Sequence, residues 1–215
     1  MDRLALVRLL TWLSPAFPTG GFAYSHGLEW SVGEGDVTNE AALVEWLRDM
    51  LAGGALWSDV ILLRHAHRGE DVEELAELGV ALAPSAERRL ETTAQGAAFA
   101  LAARAWDAPA LAAWEGPLPY TVAVGMLAAA QEVGEDDAAV GYLHAAVANL
   151  VSAAVRLIPL GQSAGLRALA ALEADILVAG AASREAGLED LGGAVWASDI
   201  ASMRHETQYT RLFRT

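Results

Sequence analysis

The chain has 215 residues, 54% of them hydrophobic, which is enough to bury a sizeable core in one large domain. Its formal net charge is −14 and its fourteen cationic side chains are all arginine, so nucleic-acid binding, which needs a positive surplus, is not expected. No cysteine occurs, which excludes disulfides, thiolate metal sites and cysteine nucleophiles. The N-terminus lacks a cleavable signal-peptide pattern, and we therefore expect a cytoplasmic protein.

Apolar side chains recur at helical spacing along the whole chain. The spacing predicts a first helix over Asp2–Leu13, ended by the proline- and glycine-rich segment Ser14–Gly21. Caps and apolar faces predict further helices after Thr38 or Asn39, after Gly53–Gly54, over Glu70–Leu82, from Ser85 to about Trp106, and over Tyr120–Val133. No alternating strand pattern and no repeat occur. The predicted fold is all-α, a single-domain layered bundle of about eight to ten helices over residues 1–215.

Residues Phe22–Glu29 are also predicted to form a short helix, which brings Tyr24, His26 and Glu29 within about two turns. At a spacing of three residues, His26 and Glu29 share one helix face. The Glu29 carboxylate either orients the imidazole for a functional role or bonds to it and ties the segment to the core.

His65 and His67 are two residues apart on a predicted helix, so their side chains point about 200° away from each other. Such a pair does not easily chelate one metal ion. We therefore predict two surface histidines beside Arg64 and Arg68.

The segment Val140–Leu172 is predicted to be the central element, two apolar helices joined at Leu157–Gln162. Pro159 and Gly161 end the first helix and allow the chain to turn. The apolar face of the first helix is predicted to consist of Leu143, Val147, Leu150, Val151, Ala154, Leu157 and Ile158. The second helix is predicted to bury Leu166, Leu169, Leu172 and Ile176. Gln162 lies on the rim of that face, as a core polar group or a partner contact.

A second arc of the first central helix carries His144, Asn149, Ser152 and Arg156 with small residues between them. Small residues allow another backbone to approach the helix closely. This arc is therefore predicted to face a neighbouring helix or a partner, with Arg156 as the cation at its end. The uncharged run in this helix is about as long as a minimal membrane span of ~18 residues. Its apolar residues keep to one side, which instead favours a core helix.

Residues 198–215 differ in charge from the acidic remainder. From Arg204 onward this stretch carries three arginines against one glutamate, with aromatic and leucine side chains between them. Arginine and tyrosine anchor many protein interfaces, so we expect a C-terminal docking segment. The alternative is that the stretch folds back on the acidic body of its own chain.

Signatures of common enzyme classes are missing from the sequence. There is no glycine-rich phosphate loop, no nucleophile elbow and no zinc-hydrolase spacing, and the adjacent His205 and Glu206 point in different directions on a helix. The sequence therefore favours an interaction protein. The alternative is a metal-dependent hydrolase that uses His26, Glu29 and His205, which requires these side chains within about 5 Å of one another around a bound ion.

Three separated blocks carry a resemblance to a known family. They are Trp12–Glu29 (WLSPAFPTGGFAYSHGLE), Arg156–Gln162 (RLIPLGQ) and Asp199–Phe213 (DIASMRHETQYTRLF). In these blocks and in their order the chain resembles the urease accessory protein UreF family. The blocks span nearly the whole chain, and its length also suits the family.

The resemblance implies a helical maturation factor that is not an enzyme. Proteins of this family dimerise, bind the accessory protein UreD (also called UreH) and through it recruit the GTPase UreG. The assembly docks on apo-urease, where nickel reaches a carbamylated-lysine site as GTP is hydrolysed. Nickel is then cargo of the complex and not a firmly bound cofactor, and neither nucleic acid nor membrane is an expected partner.

By position, the resemblance also implies partner-binding residues. Arg156 stands where the family has a basic residue linked to control of the GTPase. The other expected partner-binding residues are Tyr24, His26, Glu29, Gln162, Arg204, His205, Glu206, Tyr209, Arg211 and Phe213, of which the last six lie in a block that resembles the segment ordered by UreD. We further hypothesise that an acidic interior or a dimer seam lets Ni²⁺ pass without a tight site.

Overall fold

The computed structural model describes residues 2–215, and every regular element among them is helical. The α-helices are α1 (Arg3–Trp12), α2 (Leu28–Glu34), α3 (Glu40–Gly53), α4 (Ala55–His67), α5 (Val72–Ala81), α6 (Ala86–Ala102), α7 (Pro109–Ala112), α8 (Tyr120–Ala130), α9 (Glu135–Leu157), α10 (Gln162–Ala171), α11 (Glu173–Ala182) and α12 (Trp196–His205). Single-turn 3-10 helices lie at Gly21–Ala23, Ala103–Ala105 and Leu188–Asp190. Apart from α2 and α7, with seven and four residues, the α-helices are ten or more residues long, so the predicted all-α fold is confirmed.

The helix starts follow from local capping chemistry. The Asn39 side chain accepts a 3.0 Å hydrogen bond from the backbone N–H of Ala42 at the start of α3. The Ser85 hydroxyl accepts a 3.1 Å bond from the N–H of Arg88 at the start of α6. Each cap satisfies one of the backbone donors that a helix N-terminus leaves free. The predicted break at Gly54 separates α3 from α4.

Helix α9 is the central element, as predicted, and packs against α2, α3, α4, α8, α10 and α11. Its buried stripe includes Leu143, Val147, Leu150, Val151 and Ala154. The predicted break at Pro159 and Gly161 separates α9 from α10. Within residues 2–215, α9 is the one helix long and apolar enough to cross a membrane by length and composition, and half of its apolar window is buried in the protein. Neighbouring helices cover that side, as they do for a core helix.

The second central helix differs from its prediction in length and in orientation. It is divided into α10 and α11, and Leu166, predicted to be buried, is 68% exposed. Gly165 faces α9 instead, where an added Cβ would lie 2.7 Å from the Val155 side chain. The close approach of the two helices requires a small residue at that position, which turns Leu166 outward. Leu172 and Ile176 are buried as predicted, although Ile176 belongs to α11.

A buried arginine joins α4 to the start of α9 and the end of α11. Arg64 is 1% exposed and donates to Glu135 at 2.6 Å, to the Ser183 hydroxyl at 2.9 Å and to the Gly180 carbonyl at 2.5 Å. The Asp136 carboxylate lies 3.0 Å from the same guanidinium. A buried charge is tolerated only when it is paired and hydrogen-bonded, so this network fixes the mutual positions of the three helices.

The two histidines of α4 do not both lie at the surface. His65 is 7% exposed, with its ring nitrogens 2.7 Å from Glu70 and 3.1 Å from the Ala186 carbonyl oxygen. His67 lies 2.7 Å from the Val133 carbonyl oxygen. The prediction of surface histidines is wrong for His65, because α4 runs through the interior and is covered on most of its faces.

Candidate partner-binding site

The segment before α2 is a turn and not the predicted helix over Phe22–Glu29. A 3-10 turn ends at Ala23, Tyr24 is extended, and His26 and Gly27 have φ angles of 55° and 78°. A Cβ on Gly27 would lie 2.5 Å from the backbone nitrogen of Ser202 in α12. The close passage of α12 therefore requires glycine at position 27, and a local pattern could not reveal this contact.

Glu29 is 7% exposed and anchors the end of the chain. Its carboxylate accepts hydrogen bonds from the backbone N–H groups of Leu212, at 2.6 Å, and Phe213, at 2.8 Å. It also lies 3.1 Å from Nε2 of His205, while Nδ1 of His205 lies 2.6 Å from Glu87. Both ring nitrogens of His205 thus lie within hydrogen-bond distance of a carboxylate. Neither alternative for a His26–Glu29 pair is correct, because Glu29 bonds to α12 and the chain end.

His26 instead bonds to Glu91 in α6, at 2.7 Å from Nε2. The Glu91 carboxylate also contacts Arg88 and accepts bonds from Gln95 and from the Thr215 hydroxyl, each at 3.0 Å. Burial alone would raise the pKa of Glu91, but the nearby Arg88 and His26 outweigh it and hold the pKa at about 2. Glu91 therefore stays charged beneath the chain end.

The tail, defined here as residues 206–215, folds back on its own chain, which is the alternative that the charge pattern left open. Arg211 donates to Glu87 at 2.6 Å, and the N–H of Arg214 donates to the Ala23 carbonyl at 2.8 Å. Phe213 is 4% exposed, whereas Tyr209 is fully exposed. The backbone and the side chains of Arg211 and Phe213 thus hold the tail in place, while the Tyr209 side chain faces outward.

Arg156 lies under the tail at the end of α9. Its guanidinium carbon is 3.6 Å from the ring centre of Phe22 and 4.3 Å from that of Phe213. The same group donates to the carbonyls of Phe22, at 2.9 Å, and Ser152, at 3.2 Å. Burial lowers the pKa of Arg156. The predicted neighbour of this arc is therefore the 3-10 turn, which Asn149 also holds by a 3.1 Å bond to the carbonyl of Gly21.

Helix α12 presents an apolar surface outward. Trp196, Ile200 and Met203 follow one another at helical spacing and are 69%, 52% and 49% exposed; we call them the α12 face. The opposite side of α12 carries His205 and packs on α2 and α6. The Glu206 side chain accepts a 2.6 Å bond from the N–H of Ala86. His205 and Glu206 therefore bond to different partners, since the His205 ring lies against Glu29 and Glu87.

Two cavities lie beneath this region and share Asp59, Arg88 and Thr92 in their walls. Their volumes are about 150 Å³ and about 110 Å³. Asp59 accepts a 2.9 Å bond from the Tyr142 hydroxyl, and burial raises the pKa of Asp59. Among residues 2–215, no three His, Asp or Glu side chains are grouped so as to hold a metal ion.

Known proteins match this chain over nearly its whole length. The UreF family model matches residues 37–173. The urease accessory protein UreF of Rhodopseudomonas palustris strain BisA53 is 49% identical over 222 residues, which covers 98% of this chain and 93% of the relative. That of Bradyrhizobium diazoefficiens is 50% identical over 225 residues (100% and 93%), and that of Cereibacter sphaeroides 52% over 211 residues (98% and 99%). The chain belongs to the UreF family.

Membership of the UreF family makes the chain a urease accessory protein and not an enzyme. The metal-dependent hydrolase was the wrong alternative. The three residues proposed for that site do not share one centre. Glu29 and His205 bond to each other, whereas His26 bonds to Glu91.

The structure brings together five of the eleven residues expected to bind partners in a UreF protein. Arg156, Phe213, Glu29, His205 and Arg211 are linked through the tail, whereas Gln162 is exposed in the first turn of α10, outside this network. Sequence reasoning missed Glu87, Arg88 and Glu91 on α6. Their signal was present, because Arg88 and Glu91 lie on the same helix face as the buried Phe99.

Proposed function

We propose that this member of the UreF family is a scaffold in urease maturation. It bridges UreD/UreH and the GTPase UreG, modulates that GTPase, and supports GTP-dependent insertion of nickel into apo-urease. The observation that carries the proposal is the α12 face together with the tail, two exposed surfaces that follow each other in the chain and are anchored to one buried network.

The chemistry of this surface suits a protein partner. Tryptophan, tyrosine and arginine are the side chains that most often anchor interfaces. Here Trp196 and Tyr209 are exposed beside Arg204 and Arg214, on a chain whose net charge is −14. A cationic and aromatic patch fits a partner with an acidic and apolar surface, and we assign it to UreD/UreH.

The remaining expected site residues divide into two roles. His26 and Glu29 support the tail from below, because the His26 N–H donates to the Thr215 hydroxyl and the Glu29 carboxylate accepts from the Leu212 N–H. Tyr24 lies between Ala23 and Ser25, whose backbones both bond to the backbone of the tail. Gln162 lies exposed beyond the α9–α10 turn and offers a second contact region, assigned to UreG. Arg156 contributes to control of UreG, and its contacts with Phe22 and Phe213 determine how.

Nickel is proposed to be cargo and not a resident cofactor. The two cavities that meet at Asp59 and Arg88 offer oxygen and nitrogen donors without a set of strong ligands. Such donors suit transient binding of Ni²⁺ better than tight binding. A homodimer in the cytoplasm, without membrane or nucleic-acid partners, completes the proposal.

Co-purification tests the scaffold. The chain is expressed with its UreD and UreG counterparts, either whole, truncated after Met203, or carrying Tyr209→Ser, and complexes are weighed by light scattering. We expect a ternary complex with the whole chain, loss of the complex on truncation and weaker binding for Tyr209→Ser, which removes only an exposed ring. A whole chain that binds neither partner would contradict the proposal, as would a truncated chain that binds both as well as the whole chain does.

A further inference from the structure

The side chain of Arg156 is the meeting point of three distant parts of the chain. It projects from the last turn of α9, the Phe22 ring comes from the 3-10 turn before α2, and the Phe213 ring comes from the tail. The turn and the tail also bond directly, through the N–H of Arg214 and the Ala23 carbonyl. The guanidinium therefore contacts two aromatic rings of its own chain.

The contacts of Arg156 hold its guanidinium against the turn and the tail of its own chain. The guanidinium lies over the Phe22 and Phe213 rings, and Nε and one terminal nitrogen donate to backbone carbonyls. A partner that stacked on the guanidinium in place of these rings would first have to displace Phe22 or Phe213. Stacking of a guanidinium on aromatic faces is favourable, more so where water is partly excluded.

We propose that Arg156 is a positioning residue that holds the tail down through Phe213, and that it influences partners through the tail rather than by touching them. The inference deepens the proposed function, on which its consequence for UreG and UreD rests. Coupling of this kind is reciprocal. A partner that lifts Phe213 frees one face of Arg156, and loss of Arg156 shifts the tail toward its released state.

Hydrogen exchange in the isolated full-length chain measures this directly. The amides of Leu212 and Phe213 are protected by Glu29, so they exchange only when the tail opens. We expect Arg156→Ala to speed their exchange about tenfold, the factor that corresponds to ~1.4 kcal/mol, which lies within the range of cation–π contacts. Arg156→Lys, which keeps the charge and loses the flat stack, should give a smaller increase.

Two controls separate positioning from a general loss of structure. Arg167→Ala removes an equally charged side chain from an exposed ion pair with Glu40 and should leave tail exchange unchanged. Exchange in α8, which is almost wholly buried, should be the same in all variants. In a Phe213→Leu background, Arg156→Ala should add little, because the ring through which it acts is gone.

The outcomes distinguish this inference from the scaffold proposal. Unchanged tail exchange in Arg156→Ala would overturn it, above all if control of UreG were lost in the same variant, since Arg156 would then contact the partner directly. Equal effects of Arg156→Ala with and without Phe213 would overturn it as well. Faster tail exchange together with failed co-purification would support the inference while refuting the scaffold.

Discussion

The imidazole of His205 and the carboxylate of Glu29 lie 3.1 Å apart, although 176 residues separate them in the sequence. The contact joins the end of α12 to the start of α2. Because the same carboxylate also holds the backbone of Leu212 and Phe213, one buried acid fixes both the helix and the tail that follows it. The exposed surface proposed for partner binding therefore depends on a group that no partner would touch.

Replacement of Glu29 by glutamine should release the tail. The glutamine side chain would offer one carbonyl oxygen where two carboxylate oxygens now accept three bonds, and its amide would oppose the N–H donors. We expect a loss of ~1–3 kcal/mol in the free energy of unfolding and faster exchange at Leu212 and Phe213. Glu34→Gln, an exposed change in the same helix, is the matched control. Equal exchange in both variants would refute the anchoring role.

The lowered pKa of Glu91 implies that the stability of the folded chain depends on pH. Its pKa is held at about 2 in the folded chain against a usual value of 4.5, so the folded state favours the charged form. The resulting stabilisation, a few kcal/mol at most, is complete above pH ~4.5 and is lost as the pH falls toward ~2. Urea unfolding midpoints should show Glu91→Gln to be less stable than the parent at pH 7, with the difference shrinking below pH 4.5. A constant difference across that range would contradict the prediction.

Local chemistry explains why much of the fold could be predicted. Periodicity, the Asn39 and Ser85 caps and the Pro159 break all act over a few residues, so the helices and the α9–α10 turn follow from sequence. The sequence blocks also sufficed to indicate the UreF family. The exposed position of Leu166 could not be predicted in this way, because it depends on how closely α10 approaches α9.

The candidate site was less predictable because its bonds join distant segments. His26 and Glu29 were predicted as a pair, but each finds its partner on another helix, in Glu91 and in His205. The turn that separates them is imposed by the backbone of α12 against Gly27. Spacing along the chain contains no information on such a contact.

The same contact gives a sharp test of the turn. Gly27→Ala places a Cβ 2.5 Å from the Ser202 nitrogen at a φ of 78°, which L residues disfavour. We expect a loss of at least ~2 kcal/mol, or roughly 4 °C or more in Tm. Gly33→Ala in α2 meets open space and should stabilise by ~0.5–1 kcal/mol. Calorimetry that ranked the two variants in the opposite order would show that Gly27 does not pack against α12 as described.

Substitution of Arg64 should lower the free energy of unfolding more than most other changes in the core. Arg64→Ala would leave Glu135 and Asp136 without their shared cation and the Ser183 and Gly180 groups without a donor. Removal of one partner from a buried charged network costs ~3–5 kcal/mol. Arg48→Ala, which breaks an exposed pair with Asp175, should cost under ~1 kcal/mol. Denaturant unfolding of both variants checks the contrast, and similar losses would contradict it.

Substitutions on the α12 face should weaken partner binding without changing the stability of the chain. Trp196→Ser and Ile200→Ser remove large apolar side chains that are already exposed. The free energy of unfolding should therefore change by no more than ~0.5 kcal/mol. If this face docks on UreD, Trp196→Ser should weaken binding by at least ~2 kcal/mol, roughly thirtyfold, because a tryptophan at the centre of an interface carries much of the affinity. Leu177→Ser is the control, since it removes a similarly exposed apolar side chain from α11, which packs on α3 and α9. Calorimetric titration of UreD against the three variants would rule out the α12 face as the docking surface if Trp196→Ser and Leu177→Ser bound equally well.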